Sequence, residues 1–241
     1  MGLAFFLSGT IMTIEFILAS QSPRRRELVQ LLGFPFRVMV ADVDEDSITD
    51  PDPAVNVVQT ARLKSTHIAE QLAGTPLSPH TLILAADTTV AFAGEMLNKP
   101  ANDADARAML RRLANRQHEV HTGFVLLNPA NGREYQGVST AVVTMRPYSN
   151  KEIDAYVATG DPSDKAGAYA IQHPIFQPVA HLAGCYCNVM GLPVCDLIIA
   201  LEQFLGLGGT LPARWELTAV QKAHLHYPCP TLTHLQNRST S

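Results

Sequence analysis

Three arginines in succession, Arg24, Arg25 and Arg26, follow a proline in the stretch FILASQSPRRREL. Like charges in a row repel unless solvent or an anion separates them. A turn from an apolar strand into a helix offers free backbone N–H groups and the positive end of the helix dipole. Ser20, Ser22, Arg24 and Arg25 therefore form one candidate anion-binding group, the arginines supplying forked donors suited to phosphate oxygens. Taken alone, the stretch reads equally well as a solvated basic first turn with serine as its cap. The mild penalty of placing cations at a helix start favours the ligand. A second group is DVDED, where Asp42, Asp44, Glu45 and Asp46 form either a polar loop or oxygen ligands for a hard cation such as Mg²⁺. A third is Asp87 in LILAADTTV, a carboxylate at the end of a nearly all-apolar run. It costs desolvation free energy there unless it is paired or metal-bound. The fourth is Lys64 in ARLKS, Lys99 in NKP and Lys165 in DKAGAY, each by itself an ordinary surface lysine. Carboxylates that hold a metal, together with Lys and Arg that reach phosphates, are what phosphoryl-group chemistry requires.

Several other chemistries lack their motifs. The chain has no GxxxxGK[ST] loop, no GxSxG elbow and no HExxH helix. His118 and His121 lie three apart in HEVH, within a predicted strand where they need not share a face, and are read as non-catalytic. Cys185, Cys187 and Cys195 are close in sequence, but no second cluster with histidine spacing completes a zinc site, so free thiols in a reducing cytoplasm are expected. A net charge of −4 argues against a general nucleic-acid binder. The first thirteen residues, MGLAFFLSGTIMT, are too short an apolar run to span a bilayer and lack the basic start of a signal peptide. They are expected to be a dispensable extension of a cytoplasmic protein with no membrane segment.

The elements that must position these groups follow from periodicity and punctuation. IEFILA (14–19) reads as a buried strand, Ser20–Pro23 as a turn, and 24–32 as a helix ended by Gly33. FRVMVADV is a second strand leading into the acidic loop. Residues 53–73 carry Val57, Val58, Ala61, Ile68 and Ala69 at helical spacing. Residues 81–97 read as a β-hairpin about Ala93-Gly94, and EVHTGFVLLNPANGREY as another about Asn131-Gly132. STAVVTMRPY is a further strand. Helices are expected at 103–114, over NKEIDAYVATG up to Gly160, and from Pro193 to about Leu205, with a loop-rich stretch between the last two. Alternating strands and helices interrupted by hairpins predict an α/β fold with a mixed sheet. The segment beyond Gly206, rich in Pro, His and Thr, is expected to be a peripheral or disordered tail.

In order along the chain, LASQSPRRREL, DVDED, ARLKS, LAADTTV, NKP, HEVHTG, GDPSDKAGAYAIQ and CYCNVMGLP resemble the Maf family of nucleoside triphosphate pyrophosphatases. The resemblance implies one domain over 14–206 between the extension 1–13 and the tail 207–241. It implies an inosine-triphosphate-pyrophosphatase-like fold, an elongated mixed sheet with two lobes about a cleft. The implied reaction hydrolyses a nucleoside triphosphate to the monophosphate and pyrophosphate with a divalent cation, Mg²⁺ or Mn²⁺. Asp87 matches the acid–base position, and Glu45 with Asp87 would hold the metal. Lys99 joins them in catalysis, while Ser20, Arg25, Lys64 and Lys165 would surround the phosphates. Arg24, Thr88 and Gln172 match positions tied to substrate choice, and the DKAGAYxIQ form looks like the branch acting on dTTP and UTP. The alternatives are the sister reaction on 7-methyl-GTP and a nucleotide-binding regulator of division or septation with little turnover. A homodimer is implied. AIQHPIFQPVAHLAGCYCNVMGLP departs from the family pattern, with Ala170, His173 and Pro174 at flexible positions and Cys185 where serine is common.

Overall fold

The computed structural model describes residues 3–7, 10–33, 35–206, 217–224 and 226–239. Strand β1 (Leu3–Leu7) runs antiparallel to β2 (Thr10–Leu18), whose last residues lead through Ala19–Ser22 into helix α1 (Pro23–Gln30). A short β3 (Phe36–Val38) and a single 3₁₀ turn at Glu45–Ser47 precede the long helix α2 (Pro53–Gln71). Strand β4 (Thr81–Phe92) turns into β5 (Glu95–Leu97), and α3 (Asp103–Leu113) leads to the long pair β6 (Gln117–Leu127) and β7 (Glu134–Met145). Helix α4 (Asn150–Val157) is followed by 3₁₀ turns at Asp161–Asp164 and Ala166–Ala168, then β8 (Val179–Ala183), α5 (Tyr186–Met190) and α6 (Val194–Leu205). Two more helices, α7 (Leu217–Ala223) and α8 (Pro230–Ser239), complete the described chain.

The sheet is mixed, as the sequence predicts. Its main path is β2-β4-β6-β7-β8, with β1 and β3 on β2 and β5 on β4. The β2–β3 and β2–β4 pairs are parallel and the others antiparallel. Helices flank the sheet in two ways. Helices α1, α5, α6 and the C-terminal pair share one core with Leu18, Leu84 and Leu126. On the opposite face α2 covers Ile17, Ile83, Ala85 and Val125 through Ala61 and Ile68. A second lobe gathers the far ends of β4, β6 and β7 with α3 and α4 around Leu110, Val143 and Tyr156.

Strand β4 links the two lobes and explains where the cleft opens. Its first six residues, Thr81–Ala86, are all buried, as befits a strand covered on both faces. It pairs with β2 only through Thr81–Leu84, while β6 accompanies it from Ile83 to Ala91. Past Leu84, β4 has therefore lost its neighbour on the β2 side, and Asp87 and Thr88 are half-exposed there. Ligands of open α/β sheets favour such a crevice beyond the carboxyl end of a strand, here β2.

Several local expectations change. Residues 3–7 and 10–13, taken as a dispensable extension, lie in β1 and β2. The second predicted strand shortens to three residues, because Val40 and the acidic loop turn out toward the cleft. Residues 139–145, read as a separate strand, continue β7 without a break, Ser139 to Thr144 each opposite a residue of β6 and Met145 opposite Val179 of β8. The loop-rich stretch before Gly191 contains β8 and α5. The tail expected to be peripheral or disordered carries two helices that bury Val220, Leu232 and Leu235 in the main core; positions 207–216 lie outside the described residues. The two hairpin turns fall as predicted, with φ of 53° at Ala93 and 81° at Gly94, the paired positive values of a tight two-residue turn.

Candidate functional site

A cleft of about 890 Å³ lies between the two lobes, and every side chain singled out for phosphate, metal or base contact except Asp42 lines it. The first contribution is the turn after β2. Ser20 Oγ accepts from the backbone N–H of Ser22, and the Ser22 hydroxyl caps α1 by accepting from Arg25 N. Helix α1 has no acidic residue in its first turn, so nothing within the helix itself offsets the three arginines at its positive end. They point in different directions. Arg26 reaches back to the Gln21 carbonyl. Arg24 pairs with Asp164 at 3.2 Å. Arg25 turns inward, donating to Gly191 O at 2.8 Å, Thr88 Oγ1 at 3.1 Å and Ser20 Oγ at 3.5 Å. Burial lowers the Arg25 pKa, opposed by the nearby Asp87 and Glu45 carboxylates, which raise it.

Helix α2 delivers Lys64. Its buried stripe is Val57, Thr60, Ala61, Lys64, Ser65 and Ile68, so the lysine occupies a core-facing position. The helix can lie this close to β6 because Gly123, opposite Asp87 in the β4–β6 ladder, has no side chain. A Cβ there would meet the backbone carbon of Val57 and nitrogen of Val58 at 2.6 Å. Lys64 Nζ then sits 2.8 Å from Asp87 Oδ1 and 2.9 Å from Glu45 Oε2. Glu45 is presented by the 3₁₀ turn, which Asp44 caps by accepting from Asp46 N. Burial pushes the Glu45 carboxyl up, but Lys64, followed by Lys99 and Arg25, outweighs it and holds the group below its ordinary value of 4.5. Asp42, Asp44 and Asp46 are all exposed, but only Asp44 and Asp46 line the cleft, beside Glu45.

The second lobe supplies the far wall. Lys165 donates to Asp161 Oδ1 at 2.9 Å and Asp164 Oδ1 at 2.8 Å, and Tyr156 fixes Asp161 with a 2.6 Å hydrogen bond. A relay of opposite charges thus runs from Asp161 through Lys165 and Asp164 to Arg24, joining this wall to α1. Lys99 and the half-buried Gln172 complete the lining on this side. Thr88 shares a hydrogen bond with Thr122, which donates to Asn188 O. Thr88 is therefore fixed from both Arg25 and β6.

Sequence reasoning missed the positioning shell. Asp161 and Asp164 lie four and one residues before Lys165 within GDPSDK, a spacing that was legible as charge pairing. Thr122, Asn188 and the Gly191 carbonyl had no such signal, since a backbone acceptor and a buried amide leave no motif. His118 and His121, three apart on β6, face opposite sides: His118 bonds Tyr169 Oη at 2.8 Å and His121 bonds Thr140 Oγ1 at 2.9 Å. Among the described residues, no helix is long and apolar enough to cross a membrane.

A mixed sheet split by a cleft that collects five cationic side chains around two convergent carboxylates defines an α/β protein with a strongly charged cleft. Comparison with known proteins narrows this: the chain belongs to the Maf-like protein family, whose model matches residues 15–204. It is 41% identical over 192 residues to the dTTP/UTP pyrophosphatase of Syntrophus aciditrophicus, covering 80% of this chain and 91% of that protein. Similarity to the dTTP/UTP pyrophosphatase of Salinibacter ruber is 44% over 189 residues, 77% of this chain and 89% of that one. The Pasteurella multocida protein of the same name is 41% identical over 194 residues, 79% of this chain and 96% of its own.

Proposed function

We propose that the chain is a nucleoside triphosphate pyrophosphatase that hydrolyses dTTP and UTP to the monophosphate and pyrophosphate. The observation that carries the reading is the convergence of Glu45 and Asp87 on one point, marked by the Lys64 ammonium within 2.9 Å of both. Positive charge is already bridged there, and two carboxylates are the oxygen donors a hard divalent cation takes. Mg²⁺ or Mn²⁺ held by Glu45 and Asp87 would draw charge from the triphosphate oxygens.

The remaining roles fall to the chain itself. Asp87 orients the attacking water at the α-phosphorus and accepts its proton. Lys64 and Lys99 offset charge on the phosphates and on the departing pyrophosphate, and Arg25 with Ser20 and Thr88 fixes that end of the cleft. Arg24 and Lys165, now paired with Asp164, can exchange that carboxylate for phosphate oxygens. Gln172, whose amide both donates and accepts, faces the edge of a pyrimidine. The same reading takes the working protein as a cytoplasmic homodimer.

The test is pyrophosphate release from dTTP, UTP, 5-methyl-UTP and 7-methyl-GTP, with Mg²⁺ or Mn²⁺, by wild type and Asp87→Asn. Turnover of dTTP and UTP that falls by about 10²–10⁴-fold in Asp87→Asn supports the assignment. Equal, negligible turnover by both proteins with nucleotide binding preserved would instead point to a regulator.

A further inference from the structure

The C-terminal helices bring a second group of ligand-bearing side chains together, away from the cleft. Cys185 stands at the N-terminus of α5, Cys195 in the first turn of α6, His224 at the end of α7 and Cys229 just before α8. One ligand atom from each lies within 4.8 Å of all the others. None of the four residues is more than 4% exposed, so no water-filled position adjoins them as it would in a catalytic centre. None lines the cleft.

The geometry suits one tetrahedral ion. Zinc at about 2.3 Å from sulfur and about 2.0 Å from nitrogen sets its ligand atoms roughly 3.5–3.8 Å apart. His224 Nε2 lies 3.3 Å from Cys185 Sγ and 3.8 Å from Cys195 Sγ. The other ring nitrogen, Nδ1, is 2.8 Å from the Val220 carbonyl, which can only accept, so Nδ1–H donates to it and the Nε2 lone pair faces the thiols. This outer hydrogen bond is the usual device for orienting a histidine that ligates through its other nitrogen. Cys187 Sγ approaches the Nδ1 side of the ring, at 4.0 Å, and stands outside the set. All four cysteines are free thiols.

We propose that Cys185, Cys195, His224 and Cys229 bind one structural Zn²⁺ that fastens the C-terminal helices to α5 and α6. Three thiolates and an imidazole are the ligand types zinc takes in closed structural sites, and four protein ligands leave no position for substrate. On binding, the three thiols lose their protons to solvent and no electron is transferred. The sequence reading found no histidine partner because the ligands follow Cys-x9-Cys-x28-His-x4-Cys, with His224 and Cys229 far beyond the first pair. The ion would also brace the cleft from behind, because α5 carries the Asn188 carbonyl that receives Thr122 and precedes the Gly191 carbonyl that receives Arg25.

The test is elemental analysis of the full-length protein, purified under reducing conditions without chelator and dialysed into Mg²⁺ buffer. About one equivalent of zinc is expected per chain, and Co²⁺ exchanged into the site should give the visible bands of tetrahedral thiolate coordination. His224→Ala should retain less than a tenth of an equivalent. His224→Cys, which restores a fourth soft ligand, should keep the metal, as should Cys187→Ser. If His224→Ala misfolds, the paired outcomes of His224→Cys and Cys187→Ser still decide the ligand set. Glu45→Gln and Asp87→Asn should keep their zinc even when pyrophosphate release is lost, which separates this site from the cleft. Wild-type protein without zinc, a Co²⁺ form without thiolate bands, equal zinc in His224→Ala and wild type, zinc lost from Cys187→Ser, or a disulfide found by thiol mapping of the reduced preparation would each overturn the proposal.

Discussion

Lys64 Nζ lies 2.8 Å from Asp87 Oδ1, and the same ammonium holds Glu45 from the other side. The lysine is only 8% and Asp87 18% exposed, so their contact is screened less than a surface pair, whereas Glu45, at 41%, meets solvent. Replacing it with methionine leaves two carboxylates facing the cleft with no cation between them. Lys64→Met is expected to slow pyrophosphate release by at least about tenfold while strengthening Mn²⁺ binding in the absence of nucleotide, because the competing cation is gone. Steady-state kinetics and Mn²⁺ titration by electron paramagnetic resonance check the two halves separately. Weaker Mn²⁺ binding in the variant would sink the shared-point argument.

The pH dependence follows from Glu45. Its carboxyl is held below 4.5 in the folded chain, so its contribution to stability is fully present above that ordinary value and is lost as pH falls through the lower folded one. Lys64→Met and Lys99→Met both remove a cause of the depression. The acid limb of the rate profile should therefore move to higher pH in both variants, further in Lys64→Met, the larger cause. A limb that stays in place would mean another group governs it.

Gly123 tests how the helix reaches the site. A methyl group there would stand 2.6 Å from the α2 backbone, which has no flexible end to swing away. Gly123→Ala should cost about 3 kcal/mol, the upper end of ordinary overpacking, and should lower activity by displacing Lys64. Gly132→Ala is the control: with φ at 73° and nothing within 4 Å, it should cost about 1 kcal/mol and leave kcat unchanged. Urea unfolding and kcat measured on the same samples distinguish the two.

Arg25 should not tolerate lysine. Its fork reaches Gly191 O and Thr88 Oγ1 from separate nitrogens, a geometry one ammonium does not reproduce. Arg25→Lys is expected to cost about 1–3 kcal/mol in chemical unfolding and to raise KM for dTTP more than it changes kcat. A variant of unchanged stability would show that the fork does not hold α1 to the Gly191 loop.

The sequence was most legible where a single element carries its own signal. Pro23 after a capping serine, the stripe from Val57 to Ile68, and Ala93-Gly94 between apolar runs each fix local structure through adjacent residues. The cleft residues were legible because charge at the end of an apolar strand or beside a turn is expensive, as at Asp87. What escaped depended on contacts between distant segments. Residues 139–145 looked like a new strand because the polar, half-exposed start of β7 lacks the apolar run of a covered strand. The tail looked peripheral because Leu232 and Leu235 make only a short apolar pair at helical spacing, and Val220 lies twelve residues before Leu232 across a Pro- and His-rich stretch. His224 and Cys229 had no meaning until folding carried them to Cys185 and Cys195.

The relay from Asp161 to Arg24 bears on what the cleft will ignore. Its cations already have carboxylate company, so a bare inorganic anion arriving there finds little surplus attraction and must break pairs to enter. On the proposed reading, a nucleotide that comes with its own divalent counter-charge would meet the Glu45–Asp87 end on favourable terms while its oxygens displaced Asp164. Sulfate and orthophosphate, which bring no such counter-charge, should then compete poorly at the Arg24–Lys165 wall, so that selectivity would begin before any base is read.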